Sequence, residues 1–156
     1  MANAIIRLDN VAATKDGTLL KSVKLSSELQ NGSVVAIGGL VTGEREIHST
    51  TTPAVDTTYY GILCTPELMY DEKKQMDEFT NVVGKPERAF IPTKGDIFSA
   101  TVEAFDATPT VGKLIELAAA NTMKVVTTAT SGSTQVGKVI GIDVYGTKTF
   151  YAVEVQ

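Results

Sequence analysis

Three kinds of side chain in this sequence could carry chemistry: one histidine, His48, one cysteine, Cys64, and several closely spaced carboxylates. His48 sits in the polar stretch "TGEREIHSTTTPAVDTT", residues 42–58, with no cysteine or carboxylate placed beside it at ligand spacing. A protein metal site needs three or four such donors, so the expectation is a solvated loop histidine. Cys64 follows an apolar run in "TYYGILCT", where a free cysteine behaves as a small buried hydrophobe. To act as a nucleophile it would need a base or a cation that lowers its pKa. Asp71-Glu72, Asp77-Glu78 and Glu44 with Glu46 could each supply an acid–base pair, but an acidic chain offers such pairs by composition alone, and they read as surface charges. "SGSTQVGK", residues 131–138, lacks the phosphate-loop spacing because Val139 follows Lys138, and it leads into a strand rather than a helix. No nucleophile elbow, CxxC or dinucleotide fingerprint occurs. The residues therefore assign no catalytic, cofactor-binding or metal-ligating position, and the expected protein is not an enzyme.

The densest stretch is "GKPERAFIPTKGDIFSATVEAF", residues 84–105. Lys94-Gly95-Asp96 reads as a turn. Pro86 and Pro92 read as stops that keep "RAFI" short or at a sheet edge, and Arg88 as a solvated cation. This stretch is scaffold.

Composition narrows the classes further. The 156 residues suit a single domain spanning 1–156, with 43% hydrophobic residues to build a core. One cysteine excludes an internal disulfide framework. A net charge of −4 gives no electrostatic footprint for nucleic acid or anionic lipid. No apolar run reaches the roughly 20 residues that span a bilayer, and the opening "MANAIIRLDN" lacks the basic region of a secretory signal. These features predict synthesis in a cytoplasm, with neither nucleic acid nor membrane as partner. Tryptophan is absent and aromatics make up 6%, which disfavours a stacking platform for sugars or bases.

The elements that would position any site read as β-structure. "AIIRL", "LLKSVKL" and "VVAIGGLV" are short apolar or alternating runs. Asp16-Gly17 and Asn31-Gly32 have the composition of hairpin turns. Residues 42–58 predict a long exposed loop with extended pieces, suited to contact. "TYYGILCT" resumes a strand. Thr65-Pro66 could open a helix, and Met69, Met76, Phe79 and Val83 fall near helical spacing, so a short helix is expected within 66–82. Residues 113–118 and 123–128 predict a hairpin across Asn121, although helix is an alternative for 111–121. "VGKVIGIDVYG" and "TKTFYAVEVQ" predict a closing hairpin around Gly146-Thr147. The expected fold is mainly β: a compact sandwich or barrel-like domain of short antiparallel strands, with long loops and at most one or two short helices.

The order of these phrases resembles a known family. "ELQNGSVVAIGGLV", "YYGILCTPELMYDEKK", "NVVGKPERAFIPTKGDIFSATVEAF", "VGKLIEL" and "GKVIGIDVYGTKTFYAVEVQ" follow one another as in the small decoration, or cement, proteins of tailed-bacteriophage heads. The likeness spans most of the chain and rests on a sequence of turns and strands rather than on functional residues. It implies a virion structural protein, made in the host cytoplasm, that binds the outer surface of an assembled capsid and stabilises the head. The implied partner is the major capsid protein, together with other copies of the chain in a homo-oligomer such as a trimer. A phage tail, fibre or receptor-binding adhesion module is the alternative, and an enzyme with a site invisible in sequence the third.

Within that reading, residues 1–8 are a candidate N-terminal arm. Ile5, Ile6 and Leu8 are its capsid-contact candidates, able to add a strand to a capsid edge. An ordinary first strand is the other reading of the same residues.

Overall fold

The computed structural model describes residues 2–156. It is a β protein of two sheets: β1 (Ile6–Asn10), β7 (Ile97–Ala100), β11 (Lys148–Val155), β10 (Gln135–Tyr145), β8 (Leu114–Glu116) and β9 (Lys124–Val126) lie side by side in that order. The other five strands, β2 (Leu20–Lys24), β4 (Ile47–Thr51), β3 (Val34–Leu40), β5 (Tyr60–Leu63) and β6 (Glu87–Phe90), close into a barrel. Helical structure among the described residues is confined to single 3-10 turns. The mainly β, barrel-containing architecture expected from sequence is the one observed.

Period-two alternation explains how the two sheets share one core. In β3, Val35 points into the barrel while Val34 points out of it toward the six-stranded sheet; in β5, Leu63 and Ile62 divide in the same way, and in β6, Ala89 and Phe90. The barrel interior is thus Val23, Leu25, Val35, Leu63 and Ala89. The larger core between the sheets receives Val34, Ile62 and Phe90 from the barrel, and Phe98, Val139 and Val153 from the other sheet. Phe90 and Phe98 meet edge to face with ring centroids 5.8 Å apart, the arrangement the ring quadrupoles favour. A strand buried on both faces must be apolar at successive positions, which is why "VVAI" and "YGIL" read as continuous runs.

The local hairpins follow the sequence reading. β8 pairs β9 across Asn121, and β10 pairs β11 in an eight-pair ladder closed by Gly146 at φ +62°. Gly95, at φ +95°, makes the 94–96 turn. Asp96 is buried there, its carboxylate accepting from the backbone N–H groups of Ala12 (3.0 Å) and Thr93 (2.9 Å). That carboxylate fastens the end of β1 to the start of β7, a structural task.

Several expectations are corrected. Asp16-Gly17 is no hairpin: the Asp16 carboxylate accepts from the Thr18 N–H at 3.0 Å and starts a 3-10 turn. Asn31-Gly32 keeps the left-handed glycine, φ +82°, yet joins no two paired strands, because β2 pairs with β4 and β6 rather than β3. The segment 42–58 is not one loop. Its residues 47–51 are β4, which runs antiparallel to β3 and parallel to β2 and so closes the barrel. β6 is short but lies inside the barrel wall between β2 and β5, not at an edge. The region 66–82 holds only the turn Met76–Glu78 in place of a helix.

The N-terminal arm is also corrected, Met1 lying outside the described residues. Ile5 is buried, and Ile6 and Leu8 pack against the shared core while β1 pairs with β7. These three candidates are therefore part of the domain's own sheet.

Two buried features of the β8–β10 ladder yield tests. A Cβ on Gly137 would stand 2.3 Å from the Glu154 carbonyl oxygen of β11, whereas one on Gly39 would meet nothing within 4 Å. Gly137→Ala should lower stability by about 2–4 kcal/mol through strand displacement, and Gly39→Ala should cost under about 1 kcal/mol; chemical denaturation measures both, and equal effects would refute the close-approach account.

Glu116 is fully buried. Burial opposes its charge, but hydrogen bonds to Oε2 from Thr130 N (3.1 Å) and Gln135 Nε2 (2.8 Å), with the Lys124 ammonium 3.5 Å from Oε1, hold its carboxyl below the ordinary carboxylate range. A carboxyl depressed in the folded state stabilises above its unfolded pKa, and that contribution fades as pH falls through the folded value. The stability gap between wild type and Glu116→Gln should therefore narrow as pH drops from neutral through the carboxylate range. A gap that is constant with pH would show that Glu116 acts through packing alone.

Candidate partner-binding surface

Between β5 and β6 the chain leaves the barrel for more than twenty residues without forming a strand. Backbone outside ladders must find its hydrogen bonds elsewhere, and here one side chain organises them. Asn31 is 1% exposed. Its Nδ2 donates to the Thr65 carbonyl (2.7 Å) and to Glu67 Oε1 (3.2 Å), and its Oδ1 accepts from Thr65 N (3.1 Å) and from Asn81 Nδ2 (3.0 Å). Asn81, fully buried, also donates through Nδ2 to the Leu29 carbonyl, while the Leu29 and Asn81 backbones exchange a pair of hydrogen bonds. The start and the end of the excursion are thus held by the same carboxamide.

The middle of the excursion is fixed more lightly. The Asp71 carboxylate accepts from Lys73 N (3.0 Å), and Glu78 Oε2 accepts from Gln75 N (2.7 Å). Asp77 pairs with Lys148 at 2.5 Å, and that contact holds the Asp77 carboxyl below its usual range. Asn3 donates from its backbone to the Asp77 carbonyl and from its side chain to Phe79 and Thr80. Lys148 begins β11 directly after the Gly146-Thr147 turn, so the excursion lies against the tip of the β10–β11 hairpin.

Held in this way, the excursion turns large apolar side chains outward. Leu68 is 79% exposed, Tyr70 wholly so, and Met76 and Val83 about half. Leu68, Met69 and Phe79 line a cleft of about 680 Å³ whose other wall carries Lys85, Pro86 and Arg88. Next to the excursion, the hairpin tip exposes Ile140, Ile142, Val144 and Tyr145. Apolar groups gathered this way on otherwise polar surface mark contact sites. Sequence spacing marked Met69, Met76, Phe79 and Val83 but assigned them to a helix; the hairpin residues were read only as strand.

The residues singled out for chemistry are scattered. His48 lies on β4, its Nδ1 3.0 Å from the Gly38 carbonyl oxygen, at a polar mouth of the barrel with Lys21, Arg45 and Glu46. It is half-buried in a strand rather than free in a loop. Cys64 is buried at the end of β5, and burial pushes its thiol up to about 12 against the weaker opposing field of Arg88; it carries no thiolate at neutral pH. Of the paired carboxylates, Glu44 reaches Lys24 and Asp77 reaches Lys148, each as an ion pair. Among the described residues no group of three His, Cys, Asp or Glu side chains is arranged to hold a metal ion.

Replacing Asn31 by Ala leaves Thr65 and Asn81 with unmet buried polar groups. It should cost about 2–4 kcal/mol in denaturant unfolding and accelerate proteolytic cleavage within 66–80 more than elsewhere in the chain. Cleavage unchanged at 66–80 would show that the excursion is held by its apolar cleft instead. No family model matches this chain, and neither a curated protein nor a solved structure resembles it at a significant level.

Proposed function

We propose that this chain is a virion structural protein that binds the outer surface of a tailed-phage capsid, through contact with the major capsid protein, and stabilises the assembled head. The observation that carries the reading is the excursion of residues 65–86: apolar side chains presented to solvent from a backbone anchored at both ends on a buried asparagine. Presenting Leu68 and Tyr70 on a pinned loop lowers the entropy lost on docking. A shell displays its binding site many times, so contacts of modest strength suffice when repeated. The resemblance of its sequence phrases to those of head decoration proteins supports the same reading. No helix of the described chain is long and apolar enough to cross a membrane.

Heads assembled without this chain should form, because the lattice is complete before it binds, and should rupture at lower temperature. Purified chain added back should restore the rupture temperature, since a ligand that binds only the intact lattice stabilises it by mass action. The double variant Leu68→Lys, Tyr70→Ser should stay folded and bind heads at least roughly tenfold more weakly, as loss of a central apolar anchor does. Heads that bind the chain without gaining stability would favour the tail, fibre or adhesion module. Heads that do not bind it at all would overturn the proposal.

A further inference from the structure

Of the five asparagines in the chain, only Asn31 is followed by glycine. That dipeptide has a chemistry of its own. A glycine carries no Cβ, so its nitrogen reaches the preceding carboxamide carbon with little steric hindrance. At mildly alkaline pH the Gly32 nitrogen gives up its proton and attacks Cγ of Asn31. A C–N bond forms, the bond from Cγ to Nδ2 breaks, and ammonia leaves with the proton. The product is a five-membered succinimide. Water then adds to one of the two ring carbonyls and opens the ring, giving aspartate or isoaspartate according to which C–N bond breaks. One water is consumed and one ammonia released, with no oxidant or metal required.

The folded chain blocks each stage. Asn31 and Gly32 are both buried. The attacking nitrogen is engaged: Gly32 N–H donates to the Leu63 carbonyl at 2.9 Å, which keeps its proton in place. The leaving amide is engaged too, Asn31 Nδ2 donating to the Thr65 carbonyl and to Glu67 Oε1. The turn itself is closed by Ser33 N–H on the Gln30 carbonyl at 3.3 Å, with Gly32 at φ +82°, the type II arrangement. Ring closure therefore requires this turn to open, together with the excursion that Asn31 holds.

Reaction would then prevent the clamp from reforming. Asn31 holds the excursion by giving two protons and accepting two hydrogen bonds. An aspartate keeps the acceptors but has no proton to give at neutral pH. It would face the Thr65 carbonyl oxygen and the Glu67 carboxylate, which lie 2.7 and 3.2 Å from the present Nδ2. Like charges meeting at a site this buried are strongly unfavourable. Isoaspartate lengthens the main chain by one carbon and moves Gly32 off its partner on β5.

We infer that Asn31-Gly32 is a built-in modification site gated by the fold. Succinimide forms when the segment between Thr65 and Asn81 opens, and the carboxylate left behind keeps that segment from docking again. The pinned apolar surface thus carries a one-way release, whose substrate is the chain's own carboxamide and whose co-reactant is water. The inference concerns a clamp within the chain and stands apart from what the surface binds.

Peptide mass spectrometry after mildly alkaline incubation of the purified chain tests it, since carboxamide and carboxylate differ in mass. In denaturant, Asn31 should react faster than Asn3, Asn10, Asn81 and Asn121. Folding should slow it at least tenfold, because only the opened fraction reacts. Asn81→Ala removes one donor to the Asn31 carboxamide and should raise the folded-state rate roughly tenfold, the factor expected from one buried hydrogen bond. Reacted wild-type chain, separated by its added negative charge, should be cleaved within 66–80 faster than unreacted chain while its far-ultraviolet circular dichroism is retained. Asn31→Asp should reproduce that cleavage, and adding Glu67→Gln should slow it again, because a carboxamide there donates to the new carboxylate. Asn31 reacting as fast folded as in denaturant, a folded-state rate indifferent to Asn81→Ala, or reacted chain cleaved no faster than unreacted would each overturn the proposal.

Discussion

The Asn31 carboxamide is the contact on which the presented surface depends. A chain that leaves a barrel for twenty residues exposes polar backbone at the exit and at the return, and both points lie at a buried boundary. Asn31 bonds the Thr65 backbone at the exit and the Asn81 side chain near the return, where the Asn81 backbone is paired with Leu29. Only a carboxamide offers both a pair of donors and an acceptor in a neutral group of this size. An aspartate would bury a charge, and a leucine would orphan both ends. The rigid β core therefore controls its most apolar loop through one polar residue, with the lighter Asp77–Lys148 pair setting where the loop leans.

Much of the fold was legible where its contacts are local. The β8–β9 and β10–β11 hairpins and the Gly95 turn each rest on neighbouring residues, and turn chemistry identifies them directly. The barrel was not legible as such. Its closure needs β2 beside β4 and β6, pairings across 25 to 70 residues that no window of sequence contains. The helix expected in 66–82 failed for a physical reason: Leu68, Met76 and Val83 face solvent, so no apolar stripe is buried to offset the cost of helix formation. Asp71 also captures a neighbouring N–H in a turn, competing with helical bonding.

The same contrast governs the candidate surfaces. Ile5, Ile6 and Leu8 admitted two readings, a contact arm or an ordinary first strand, and the chain's own β7 edge and core, which no local window shows, decide for the strand. Ile140, Ile142 and Val144 read only as strand, since alternation cannot reveal that β8 stops short and leaves their half of β10 uncovered. Exposure of an apolar strand is a property of its neighbour's length, which only the assembled sheet displays.

Pinning both ends of the excursion at a single asparagine also bears on how such a protein can diverge. The closure between Thr65 and Asn81 is already fixed by Asn31, so doubling the length between them adds only about 0.6 kcal/mol of loop entropy. Neither the barrel nor the six-stranded sheet need respond to what lies between. Insertions and wholesale replacement are therefore nearly neutral for folding in this segment, while they rewrite the surface it shows. A lineage carrying this architecture can change the surface it shows by remodelling one loop, leaving Asn31, Asn81 and the core beneath them as they are.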